Sequence, residues 1–112
     1  MINKAVVDNA YGFAGYMLEI CEDLKKRGYS DLASMIFKSS CNIGSNLYKA
    51  TFFKQPGEIY NFVNASIQAA CEVEFYLKLI AEKELLDTSV ILTATNKCAY
   101  LRKVAERAQL VR

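Results

Sequence analysis

The chain has 112 residues, a formal charge of +2 and a 53% hydrophobic composition without a single histidine. That length accommodates one hydrophobic core, and the apolar share excludes disorder as a description of the whole. The missing imidazole removes Ser-His-Asp and Cys-His nucleophilic sites, His-ligated zinc and the Glu-x-x-His pairs of di-iron bundles.

Helical periodicity runs through the sequence. In the first segment Val6, Ala10, Phe13, Met17, Ile20 and Leu24 recur at alternating intervals of four and three, one face of a helix. Lys25, Lys26 and Arg27 place cations in its last turn, and Gly28 ends it. Ser30 or Asp31 is the expected cap of the second helix, whose stripe is Leu32, Ile36, Ser39, Ile43, Leu47 and Ala50. Small residues cluster there at Ser39, Ser40, Gly44 and Ser45, where a neighbouring backbone can come close. Lys54-Gln55-Pro56-Gly57 breaks the pattern.

The third stripe, Ile59, Val63, Ser66, Ala70, Val73, Leu77 and Ile80, is the most regular, with Glu58 in its first turn. Asp87 or Thr88 is expected to cap the last helix, which carries Ile91, Ala94, Cys98, Leu101, Ala105 and Ala108. Four amphipathic helices joined by short turns predict an all-α, antiparallel up-down-up-down bundle forming one domain over residues 1–112.

Cys21, Cys41, Cys71 and Cys98 fall in four different helices with no Cys-x-x-Cys spacing, so buried, inert thiols are expected and metal knuckles are not. Asp8 interrupts the N-terminal apolar stretch. The longest uncharged run, Ile59 to Cys71, is too short to span a bilayer. A cytoplasmic location without membrane contact follows as the expectation.

The polar positions carry the rest of the reading. Asn42 and Asn46 stand one turn apart on the second helix, and Glu72 stands mid-way along the third. An Asn–Glu hydrogen bond between these helices would form a structural polar layer fixing their register. Glu72, Glu74 and a cysteine are the best catalytic candidates, but no nucleophile–base pair is legible. A non-enzymatic protein needing no cofactor or metal is expected. Val7, Ala14, Leu18, Phe62 and Tyr76 lie beside the main stripes, and Tyr11, Tyr48, Phe52, Phe53, Tyr60 and Tyr100 add aromatic surface. This surplus points to self-association into a homo-oligomer. From Lys97 onward, Lys97, Arg102, Lys103, Arg107 and Arg112 face Glu106 alone, a local charge of +4.

Gly44-Ser45-Asn46-Leu47-Tyr48-Lys49-Ala50 resembles the Gly-Ala-Asn-Ile-x-Glu-Ala stretch of a bacterial family of small four-helix-bundle proteins. Some members of that family are encoded within intervening sequences of 23S ribosomal RNA genes. Glu58-Ile59-Tyr60-Asn61-Phe62 and the run from Gln68 to Ile80 correspond to the family's next helix, so the likeness covers roughly positions 36 to 86. The sequence departs from the family at Lys49, where the family has Glu, at Tyr76 for Trp, and at Gln68-Ala69 for Lys-Glu. The resemblance implies a homo-oligomer, a pentamer among similar proteins, associated with structured RNA. A related branch, the accessory variability proteins of diversity-generating retroelements, forms basic pentameric barrels that bind reverse transcriptase and nucleic acid.

Together these features predict an oligomeric scaffold that binds structured RNA or a nucleoprotein partner. Phosphate contacts are expected from Lys25, Lys26, Arg27, Lys54, Arg102, Lys103, Arg107 and Arg112. The alternative is a protein-interaction adaptor whose exposed aromatic residues anchor a protein partner, with no direct nucleic-acid contact.

Overall fold

Asn3 starts the first helix, its side-chain oxygen accepting the Val6 N–H at 3.0 Å. In the computed structural model, which describes residues 2–110 apart from the side chain of residue 110, this helix, α1, spans Lys4–Lys26. It ends as the glycine predicts. Gly28 takes φ 96° and donates to the Lys25 carbonyl, while the Tyr29 N–H reaches back to Leu24. Because Tyr29 completes this turn, α2 (Ser30–Ala50) begins at the very next residue. Ser30 and Asp31 therefore lie inside the first turn, and Tyr29 occupies the cap position with no side-chain hydrogen bond. Asp31 contributes only its charge to the helix N-terminus.

Residues 51–55 connect α2 to α3 (Pro56–Glu82), and aromatic contacts pin the connection. Tyr48 meets Phe52 edge-on with ring centroids 4.9 Å apart, and Phe53 leans on Phe62 at 5.0 Å. Pro56 is at the start of α3, where a missing N–H costs no helical hydrogen bond. The helix ends in the same kind of turn as α1 but without glycine. Glu84 adopts φ 53°, donating to Ala81, and the Leu85 N–H bonds to Ile80. The last helix, α4 (Thr88–Leu110), follows Asp87, whose carbonyl accepts from Val90 and Ile91 and whose carboxylate accepts from Ser89.

The four helices form an up-down-up-down bundle 44 Å long and about 20 Å across. Each packs against its neighbours in sequence, and α4 closes the ring against α1 more loosely than the others pack. The predicted stripes are the core. Phe13, Met17, Leu24, Ile36, Ile43, Leu47, Val63, Val73, Leu77, Ile80, Cys98 and Leu101 are all buried. Gly44 marks the closest approach of α1 and α2. A Cβ there would lie 3.3 Å from the Ala10 Cβ and 3.6 Å from its backbone, tighter than ordinary packing.

The polar contacts between α2 and α3 differ from the predicted layer. Asn42 is exposed, and Asn46 donates to the Asn42 carbonyl of its own helix at 2.8 Å. Glu72 is also exposed and accepts from Ser39 at 3.4 Å. A residue adjacent to Val73 on a helix is turned 100° away from the seam, far enough to leave its carboxylate in water. Serines do the buried work instead. Ser66 donates across the interface to the Ile43 carbonyl at 2.9 Å, and Ser40 bonds within its helix to Ile36 at 2.7 Å. A hydroxyl fits between close backbones at little desolvation cost, whereas a buried carboxylate would need a compensating charge.

The cysteines also separate. Cys21 and Cys98 are buried, Cys41 is half-buried and Cys71 is exposed, so the expectation of four buried thiols is corrected at Cys71. Cys71 lies away from the α3 core stripe, on the helix's outer side.

Candidate nucleic-acid interface

The basic residues predicted to contact phosphate divide between opposite ends of the bundle. Lys25, Lys26 and Arg27 close α1 beside the α3–α4 turn, where Arg27 donates to the Leu85 carbonyl at 3.5 Å and pairs with Asp23 at 3.2 Å. Lys54 lies in the α2–α3 connection and Lys103 and Arg107 in the last half of α4, both toward the other end of the molecule. Arg112 falls outside the described residues. One protomer therefore does not gather the eight residues onto one surface.

Arg102 has a different role from its neighbours. Its Nε bonds to Glu74 of α3 at 2.7 Å and its Nη1 to Glu106 at 3.0 Å, with three-quarters of the side chain covered. The Glu74 hydrogen bond holds the guanidinium pKa above its ordinary value. This ion pair ties α4 to α3 and neutralises the cation within the fold.

Lys103 and Arg107 are exposed, and neither makes an ion pair among the described residues. They extend a line that sequence reading did not assemble, Asn96, Tyr100, Lys103 and Arg107, all exposed and spaced four, three and four residues apart. The signal was present: this is the same helical interval as the core stripe Cys98, Leu101 and Ala105, displaced to the outer face. Tyr100 is 49% exposed beside the two cations, offering a ring face where a base can stack.

Asn96 and Tyr100 also border a groove of about 780 Å³ where α1 and α4 pack loosely. Its α1 wall carries Asp8, Glu19, Gly12 and Gly15, and Lys97 lies 5.7 Å from the Tyr16 ring centroid. The acids on that wall oppose a phosphate backbone inside the groove. The favourable surface for a polyanion is the α4 ridge itself, not the cleft beside it. Among the described residues, no group of three His, Cys, Asp or Glu side chains could hold a metal ion. No described helix is long and apolar enough to cross a membrane.

The same bundle occurs in the crystal structure of a protein with unknown function from the S23 ribosomal protein family of Bacteroides thetaiotaomicron. The two superpose with a TM-score of 0.89 over 93% of this chain and 97% of that one, at 20% sequence identity. The likeness establishes the fold. No family model and no curated protein matches the sequence.

Proposed function

We propose that this protein is a non-enzymatic, oligomeric helical scaffold in the cytoplasm that binds structured RNA, alone or in a nucleoprotein, through the outer face of α4. The observation that carries the reading is the exposed line of Tyr100, Lys103 and Arg107, whose two cations have no carboxylate partner among the described residues. The name of the S23 ribosomal protein family, to which the structurally similar protein belongs, supports RNA as the ligand. The resemblance of the α2 and α3 sequence to intervening-sequence proteins supports it as well, and implies five copies. Symmetry then multiplies a modest charge: the exposed Lys103 and Arg107 of each protomer become a ring of cations, which raises affinity for a polyanion steeply. A-form duplexes are recognised mainly through backbone and shape, so contacts of this kind need no base-reading code.

The test is fluorescence anisotropy of a labelled, structured RNA at two salt concentrations. Tight binding at low salt that weakens steeply with added salt is expected. Replacing Lys103 and Arg107 with Ala should reduce the salt slope by about 1 for each cation in contact with phosphate. An unchanged slope in that variant would remove α4 as the interface. Absence of binding even at low salt would favour the adaptor reading, which the exposed aromatic rings of Tyr11 and Phe52 support.

A further inference from the structure

The loose α1–α4 seam leaves a groove whose make-up differs from the cationic ridge beside it. Its volume, about 780 Å³, falls in the range of about 300–1,000 Å³ common to small-ligand sites. Phe13 and Leu101, both buried, form its apolar floor. Gly12 and Gly15 stand on its α1 wall, well inside a helix, where glycine lowers stability. Neither serves a close approach of the kind Gly44 does, because a Cβ at either position would meet no atom within 4 Å. Longer side chains at these two positions would fill the groove.

The polar groups on the walls suit a neutral ring rather than a phosphate. Their charges balance: Asp8 is paired with Lys4 at 2.8 Å, and Glu19 and Lys97 are one of each sign. Asn9 on α1 and Asn96 on α4 make no side-chain hydrogen bond among the described residues, and each amide offers both a donor and an acceptor. Tyr16, whose hydroxyl donates to the Val90 carbonyl at 3.3 Å, and Tyr100 add one ring from each helix.

We propose that this groove takes one unpaired nucleobase from the RNA that lies along α4. The assignment rests on the RNA reading above and names the feature of the RNA that this face selects. Asn96 and Tyr100 belong to both surfaces, so a strand whose phosphates meet Lys103 and Arg107 brings its bases to the edge of the groove. There a base stacks on a tyrosine ring, an Asn amide meets its edge, and the two glycines leave it room. A paired base has its edge occupied and both faces stacked, so a continuous duplex offers the groove nothing. A bulge or a loop does.

Anisotropy with two labelled RNA hairpins tests this, one carrying a single bulged adenosine and the other an abasic residue at the same place. Their backbones match, so any difference belongs to the base. The unaltered chain should bind the adenosine bulge about tenfold more tightly, in keeping with one stacked base. Gly12→Leu combined with Gly15→Leu should bind both hairpins alike, at the abasic affinity and with an unchanged salt slope. That variant removes no core contact, and leucine suits a helix better than glycine, so its helical circular dichroism should be intact. Tyr100→Ala, at a half-exposed position, should reduce the same preference. Loss of the preference in Tyr100→Ala but not in the glycine variant would put the base on the ridge and overturn the groove. Equal binding of the two hairpins by the unaltered chain also overturns the groove, while leaving RNA on α4. If neither hairpin binds, the RNA reading falls and this one with it. Heat on titrating adenosine 5′-monophosphate that vanishes in the glycine variant would then reassign the groove to a free nucleotide.

Discussion

Glu84 holds a backbone conformation that suits glycine. At φ 53° its Cβ crowds the backbone, a strain of about 1–2 kcal/mol for a residue other than glycine. The turn keeps it there through the Glu84–Ala81 and Leu85–Ile80 hydrogen bonds and the packing of Leu85 against the core. Glu84→Gly should therefore stabilise the fold by about 0.5–1 kcal/mol, part of the relieved strain being offset by glycine's greater freedom when unfolded. Chemical denaturation should show a higher midpoint at an unchanged slope. Cys98 is a second special position. Burial, reinforced by the nearby Glu74 carboxylate, pushes its thiol up to about 12. The unfolded thiol ionises near pH 8.5 and the native one does not. Stability tied to Cys98 is thus complete below pH 8.5 and is lost as the pH climbs toward 12. By pH 10 the loss should reach about 2 kcal/mol. Denaturation series at pH 8 and pH 10 should show a smaller alkaline loss for Cys98→Ala than for the unaltered chain.

Between elements, the Glu74–Arg102 pair is the charged contact joining α3 to α4 among the described residues. With both side chains about three-quarters covered, it is screened less than the surface pair Lys4–Asp8. Arg102→Ala should cost about 1 kcal/mol, through the lost pair and through the stem's packing. A double-mutant cycle with Glu74→Ala should give a coupling of about 0.5–1 kcal/mol, readable by denaturant titration. On the proposed RNA-binding reading, affinity should change less in Arg102→Ala than in the Lys103 and Arg107 variant, because Arg102 is already neutralised in the fold. The same contrast separates a cation that holds helices together from cations available to a ligand.

Across the whole molecule, packing is uneven around the ring of helices. α2 and α3 are each packed closely on both sides, whereas α1 and α4 face each other across the groove that Gly12 and Gly15 widen. Local opening should follow that seam. Native-state hydrogen exchange should find the slowest amides in the middles of α2 and α3 and faster exchange near the start of α1 and the end of α4. Uniform protection over all four helices would contradict this distribution. The long axis has a second consequence, since cations at the two ends of a 44 Å body act on a ligand largely independently at physiological salt.

Helix number, order and core were legible residue by residue. Met17, Ile43, Val73 and Leu101 are buried where a period of 3.6 places them, and Gly28 ends α1 as its position predicts. These features depend on spacing along one helix, which the sequence states directly. Features that depend on the rotation of one helix against another were not legible in the same way. Asn42, Asn46 and Glu72 sit close enough to the stripes to suggest a buried layer. The 100° step from the buried Ile43 and Val73 turns Asn42 and Glu72 into water, and the packing of α2 on α3 gives the interface to Ser66. The predicted cationic set divided for the same reason. Antiparallel packing sends the end of α1 and the end of α4 to opposite poles, and Glu74, 28 residues before Arg102, removes one cation from the surface. Periodicity along a chain fixes which face is apolar. Only the packed helices decide which charges meet, because that depends on distances between residues far apart in sequence.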